Sequence, residues 1–350
     1  MKYCIRCGKV LPEDTVFCTG CGAKATPATD AAAPSYAPPP MPAKSGITFR
    51  NTGLGFILPA VMLIFLFYMG LTDPLFSSVW HFKYVVRPAV PYILVAFAVV
   101  LSSRAKGPDL SLGAILGLSG IIVGLVMQSG GSWLAGLLLA IAAAAVVGAV
   151  NGVINGLIRV RSAVPTVLIS AAVTWSMSFF VRRIAAVLSG GIAIRLSDVS
   201  LGAAGILVVL TAFAIAFALN LGTKLGTPVF RNSRSIALCI VSYILSAVIA
   251  ALAGFFMLLW VRAASPTMGT DYGPFILFIF ACLLSSRVLD NRYTPAIYVL
   301  PLGFIWVWSI NFFMINSVNL FFQYCTYYAL SAVALLIAFV SRFEKKRTIL

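Results

Sequence analysis

Four cysteines near the start of the chain have the type and spacing needed to bind a metal ion. Cys4 and Cys7 form one Cys-x-x-Cys pair, Cys18 and Cys21 form a second, and a glycine follows each pair. Two such knuckles can hold four thiolates tetrahedrally around one Zn²⁺. Disulfides or a redox Cys-x-x-Cys site are the alternatives. Because so short a segment has little core, we expect structural zinc to supply most of its folding free energy.

A second set of candidate residues is polar and lies in otherwise apolar sequence. Asp109 and Ser111 follow a Gly-Pro pair, where an apolar helix is predicted to begin. Asp109 could cap that helix through backbone N–H groups, or it could line a polar cavity. Asn151 and Asn155 share one helical face and could hydrogen-bond between helices or contact a hydroxylated solute. These four residues are our candidates for a translocation path.

The composition indicates that both sets belong to an integral membrane protein. Hydrophobic residues make up 61% of the chain and charged residues 10%, and the mean hydropathy is +1.02. A soluble domain has roughly 45–50% apolar and about 25% charged residues. The apolar runs are long and continuous, which favours helices over a β-barrel. The sequence therefore predicts an all-α, polytopic bundle of transmembrane helices preceded by a small Cys4 zinc ribbon.

Hydropathy predicts about ten transmembrane helices. Their ranges are 53–71, 84–101, 110–127, 132–158, 163–181, 201–221, 235–261, 272–286, 293–314 and 319–341. An even number of crossings places both termini on one side, and Lys and Arg are more frequent in the loops of that side. We therefore expect both termini in the cytoplasm. The net charge of +16 then reflects topology and attraction to anionic lipid rather than nucleic-acid binding.

Composition also divides the chain into segments. The ribbon occupies residues 1–23, a flexible Pro/Ala-rich linker 24–48, the transmembrane domain 49–342 and a basic cytoplasmic tail 343–350. Within the transmembrane domain, small residues recur every fourth position and predict faces through which helices approach closely. These faces are Gly113-x-x-x-Gly117, Gly120-x-x-x-Gly124 and Gly148-x-x-x-Gly152-x-x-x-Gly156.

The order of three motifs resembles a known family. The motifs are Gly107-Pro108-Asp109-Leu110-Ser111-Leu112-Gly113, then Asn151-Gly152-Val153-Ile154-Asn155-Gly156-Leu157-Ile158 with Val164-Pro165, then Ser265-Pro266-Thr267-Met268-Gly269-Thr270-Asp271-Tyr272. They resemble the Gly-Ile-Asp-Leu-Ser-Val-Gly, Asn-Gly-Leu and Gln-Pro-x-x-Gly-x-Gly-Tyr elements of the permease subunit of ribose- and galactose-type bacterial ABC importers. That family belongs to the branched-chain and sugar permease superfamily. The cysteine segment is similar to the small zinc ribbons that begin many bacterial membrane proteins.

The resemblance implies a permease that carries a small hydrophilic solute, a monosaccharide, across the bacterial inner membrane. It implies as partners two ABC ATPase subunits, a second permease subunit in a homo- or heterodimer, and an extracytoplasmic solute-binding protein. The sequence contains no Gly-x-x-x-x-Gly-Lys-Ser/Thr phosphate loop, and His81, its single histidine, has no partner at recognisable triad spacing. We therefore expect no enzymatic activity, with ATP hydrolysed on separate subunits, and no nucleic-acid partner.

Two departures from the family pattern leave a second function open. Gly273-Pro274 replace the acidic residues that usually follow the Gly-Tyr element in the family, and Ser285-Ser286 replace the glycine pair beyond it. Residues 225–236 are too few to hold the cytoplasmic segment that docks on the ATPase in the family. The chain could instead be a degenerate, non-transporting permease homologue that acts as a membrane scaffold or sensor through its zinc ribbon. A secondary transporter is a third possibility, disfavoured because the predicted helices contain few charged residues that could couple ions.

Overall fold

The described part of the chain is mostly α-helical. The structure, a computed structural model, describes residues 2–3, 10–11, 17–19, 54–72, 79–105, 107–158, 163–196, 236–286, 294–315 and 319–347. The chain divides into two compact units, Met1–Ile47 and Thr48–Leu350. In the first unit, β1 (Lys2–Tyr3) pairs antiparallel with β2 (Val10–Leu11). The first Cys-x-x-Cys pair therefore lies in sequence between two paired strands.

The second unit contains nine α-helices in its described residues. They are α1 (Leu54–Thr72), α2 (Val79–Ala105), α3 (Leu112–Gln128), α4 (Trp133–Leu157), α5 (Ala163–Leu188), α6 (Ile236–Val261), α7 (Tyr272–Ser286), α8 (Thr294–Ile315) and α9 (Leu320–Arg347). Two short strands, β3 (Ile194–Arg195) and β4 (Ala263–Ala264), pair antiparallel and join the ends of α5 and α6.

These helices lie where hydropathy predicts them, with differences at their ends. Helix α5 continues to Leu188, beyond the predicted end at 181, because Arg182 stays helical and its guanidinium Nη2 donates to the Gly269 carbonyl oxygen (3.1 Å). Helix α9 runs to Arg347, well into the predicted tail 343–350, through Glu and Lys residues that favour helix. The predicted helix at 201–221 lies outside the described residues, so the count of ten stays a prediction.

Three helical segments are long and apolar enough to cross a membrane: Trp133–Leu157, Val167–Leu188 and Cys239–Val261. Large apolar side chains on the outer face of α5 support the same conclusion. Trp175 and Phe179 are 70% and 71% exposed, although such side chains are normally buried in a soluble fold. The bundle is thus consistent with membrane association.

Helix α6 packs against α2, α3 and α4 and forms the centre of the described bundle. The glycine face of α4 allows this close packing. A Cβ atom on Gly152 would lie 2.5 Å from the Ile240 Cα atom, and one on Gly148 would lie 2.6 Å from the Tyr243 carbonyl oxygen. The predicted small-residue face of α4 therefore lies directly against the backbone of α6.

Candidate functional site

The first candidate residue, Asp109, lies in the loop between α2 and α3. Asp109 is fully buried, and its Oδ1 atom accepts hydrogen bonds from the Ser111 N–H (3.0 Å) and the Ser111 hydroxyl (2.6 Å). Helix α3 begins at Leu112 with Ser111 as its N-cap, and the Ser111 side chain makes no capping bond. Asp109 thus stabilises the start of α3 from two positions before the N-cap residue, through an Asx-type turn.

Helix α4 brings the second motif to this loop. The Asn151 Nδ2 atom donates to the Ser111 hydroxyl (2.8 Å) and makes a longer contact of 3.5 Å with Asp109 Oδ1. Asn155, one turn further on, donates instead to the Asn151 carbonyl oxygen within its own helix (2.9 Å). All four residues are buried. Asp109, Ser111 and Asn151 therefore form one hydrogen-bonded cluster, and Asn155 adjoins it without touching the carboxyl group.

Helices α5 and α6 add three polar residues that the motif analysis missed. The Leu110 N–H donates to the Thr174 hydroxyl (3.1 Å), which is also 2.9 Å from the Ser170 carbonyl oxygen. The Ser170 hydroxyl in turn is hydrogen-bonded to the Tyr243 hydroxyl (3.1 Å). Ser170 and Thr174 are four positions apart on one face of α5, and this spacing is the signal that could have revealed them.

The cluster has an unusual electrostatic feature. Asp109 Oδ2 and Asn151 Oδ1 are buried and have no hydrogen-bond partner among the described residues. Burial raises the pKa of Asp109, which lies in a loop outside the helices, to about 6, and hydrogen bonds from Ser111 and Asn151 oppose that rise. The two acceptors leave the cluster able to receive a cation or a hydrogen-bond donor.

The third motif packs against the first. A Cβ atom on Gly113 would lie 2.3 Å from the Gly269 carbonyl oxygen, and one on Gly117 would lie 2.5 Å from the Met268 carbonyl oxygen. The turn before α7 therefore lies directly on α3. Beside it, the Tyr324 hydroxyl donates to Asp271, and Arg182 contacts the Gly269 carbonyl.

The predicted zinc ligands are described only in part. Cys18 is buried, at 2% exposure, whereas Cys4, Cys7 and Cys21 lie outside the described residues. Within the part of the chain that the structure describes, no three His, Cys, Asp or Glu side chains form a group that could hold a metal ion. Strands β1 and β2 flank the first cysteine pair in sequence, a local arrangement that suits a knuckle.

Taken together, the three motifs are brought into one region by backbone contact and hydrogen bonding. Gly113 of the first motif contacts Gly269 of the third, and Ser111 of the first is bonded to Asn151 of the second. The resulting region is a buried polar cluster beside closely packed glycine backbones. No protein-family model, curated protein or solved structure matches this chain.

Proposed function

We propose that the chain is the membrane-spanning permease subunit of an ABC-type importer and forms the path for a small hydrophilic solute, a monosaccharide. The observation that supports this most strongly is the cluster of Asp109, Ser111 and Asn151. Two sequence motifs about forty positions apart meet there through the bond between Asn151 and Ser111. A polar cluster of this kind inside an apolar bundle is typical of a pathway rather than of helix packing alone.

The chemistry of the cluster suits a hydroxylated solute. A carboxylate accepts hydrogen bonds, a primary amide both donates and accepts, and serine and threonine hydroxyls do both. Each hydroxyl group of a sugar both donates and accepts hydrogen bonds, so a sugar-binding site needs both donors and acceptors. In the described conformation the candidate residues are buried, so we propose that it represents an occluded state. Transport then requires a second state in which α3 and α4 separate and admit the solute.

The proposed partners follow from this role. The chain contains no phosphate loop, so separate ATPase subunits would power transport. A second permease subunit would complete the path, and an extracytoplasmic binding protein would deliver the solute. We propose that the chain spans the bacterial inner membrane several times, with the ribbon and the C-terminal tail in the cytoplasm, as the loop charges indicate.

We further propose that Cys4, Cys7, Cys18 and Cys21 bind one structural Zn²⁺. Four thiolates in two closely spaced pairs are a sufficient ligand set for a closed tetrahedral site. The metal would stabilise the fold of the N-terminal segment and would take no part in transport chemistry.

Asp109→Ala and Asn155→Ala test the path. We expect each to reduce uptake of radiolabelled ribose or galactose, with Asp109→Ala losing about tenfold or more. A hydrogen bond to a charged group contributes about 1.5–3 kcal/mol, and 1.4 kcal/mol is a factor of about ten. Ser176→Ala is the matched control, because its hydroxyl bonds only within α5, to the Ala172 carbonyl, on an exposed face. Normal uptake by both path variants, at wild-type membrane levels, would defeat the assignment.

The short segment at 225–236 favours a second candidate, a membrane scaffold or sensor that recruits a cytosolic partner through the ribbon. Uptake by a strain that lacks this protein distinguishes the two candidates. If deletion of the gene for this chain leaves the uptake of every monosaccharide tested unchanged, the scaffold or sensor function is better supported than transport. If deletion abolishes the uptake of one sugar and the wild-type chain restores it, transport is supported.

A further inference from the structure

Two acceptor atoms in the Asp109 cluster lack donors. The Asp109 carboxyl directs all three of its contacts, with Ser111 N–H, Ser111 Oγ and Asn151 Nδ2, through Oδ1. Its Oδ2 atom has no partner in the described structure, and neither does Asn151 Oδ1. Buried polar atoms are nearly always paired in native proteins, so two orphans on adjoining side chains indicate a missing species that carries positive charge or hydrogen.

The carboxylate also lacks a counter-charge. Its hydrogen-bond partners, Ser111 and Asn151, are both neutral, and no basic side chain among the described residues is bonded to it. The neighbouring groups from the other packed helices are the hydroxyls of Ser170, Thr174 and Tyr243, which are also uncharged. An uncompensated buried charge is strongly destabilising, and buried charges in proteins are normally paired or bound to a metal ion.

We propose that Asp109 Oδ2 and Asn151 Oδ1 are ligands of a binding site for one small monovalent cation, Na⁺. Oxygen ligands select hard cations. One carboxylate with neutral amide and hydroxyl neighbours balances a single positive charge, whereas a divalent ion would leave one charge buried without compensation. The site lies where the chain is non-helical between α2 and α3, and breaks between helices supply such ligands in ion-binding membrane proteins.

The cation would hold three elements together. It bridges the loop before α3 to α4, and that loop is already tied to α5 through Leu110 and Thr174. The inference goes beyond the proposed transport function and does not depend on it, since the site is defined by the cluster alone. A scaffold with this cluster would bind Na⁺ equally well.

Thermal unfolding of the purified full-length chain in NaCl and in choline chloride, at equal concentration, tests the site. We expect Na⁺ to raise the Tm saturably by about 3–5 °C, because a ligand bound only by the folded state stabilises it. Asp109→Asn removes the negative charge of the proposed ligand and keeps the shape of the side chain, so its Tm should not respond to Na⁺. Asp271→Asn, at an exposed carboxyl, is the matched control and should keep the full Na⁺ response.

Equilibrium binding of radioactive sodium to the wild-type chain provides a readout that needs no variant. One sodium ion per chain, displaced by non-radioactive Na⁺ and not by choline, supports the site. A wild-type Tm that is identical in the two salts, with no saturable sodium binding, would overturn it and assign the two acceptors to a buried water or to a retained proton. An unchanged Na⁺ response in Asp109→Asn would also overturn it.

Discussion

Gly269→Ala is expected to lower sharply the yield and the stability of the folded helical bundle. Gly269 has a φ of +82°, which residues with a Cβ atom rarely adopt. A Cβ atom there would lie 2.1 Å from the Gly113 carbonyl oxygen, a backbone atom that no rotamer change can move. The left-handed conformation costs about 1–2 kcal/mol and overpacking typically a further 1–3 kcal/mol or more. Together these costs, about 2–5 kcal/mol or more, reach the lower end of the net stability of about 5–15 kcal/mol of a typical protein.

Gly130→Ala is the matched control for that experiment. Gly130 has the same φ of +82°, but a Cβ atom there would meet nothing within 4 Å. This variant therefore carries the conformational strain without the clash, and we expect it to lose only about 1–2 kcal/mol. The measurement is the yield of monodisperse detergent-solubilised protein and its Tm. If the two variants behave alike, the close contact between the turn before α7 and α3 is not as described.

Removal of zinc is expected to unfold the N-terminal segment and leave the helical bundle intact. Structural Zn²⁺ in small cysteine sites contributes about 10–16 kcal/mol of apparent binding free energy, far more than a segment of this size gains from its core. The purified chain should contain one zinc ion by elemental analysis. A strong chelator should make residues 1–23 sensitive to protease without lowering the Tm of the bundle.

The zinc content of two cysteine variants tests whether the metal is bound by the N-terminal cysteines. Cys18→Ser should lose the metal, because Cys18 is a proposed ligand. Cys325→Ser should keep it, because Cys325 is exposed on α9, in the other unit of the chain. Zinc-free protein with Cys4, Cys7, Cys18 and Cys21 linked by disulfides would contradict the metal assignment and support the oxidised alternative.

Helix positions could be predicted because they depend on local hydropathy. The nine described helices lie close to their predicted ranges, since an apolar run of about 20 residues in lipid must pair its backbone groups within its own helix. Helix ends depend in addition on contacts that are distant in sequence. A basic residue usually signals a loop, but Arg182 remains in α5 because a distant carbonyl, that of Gly269, accepts its hydrogen bond. That partner lies 87 positions away, and local sequence does not contain it.

The candidate site likewise contains residues that the sequence indicates and residues that only distant contacts reveal. Asp109, Ser111 and Asn151 could be selected because each is polar within an apolar run, and the structure brings them together. Asn155 was selected for the same reason, but its amide bonds to its own helix. The four-residue spacing of Ser170 and Thr174 places them on one face of α5, but it does not show which residues they contact, and Tyr243 has no such signal because tyrosine is common in apolar helices. Their roles depend on pairings 64 and 73 positions apart.

The most direct test of the proposed transport role is affinity purification of the chain from its native membrane in mild detergent, with every co-purifying protein quantified by mass spectrometry. We predict stoichiometric recovery of an ABC ATPase together with a second permease subunit. The short segment at 225–236 would then be compensated by the partner subunit. If a control importer retains its ATPase in the same preparation while this chain retains none, the importer assignment is contradicted and the scaffold or sensor takes its place.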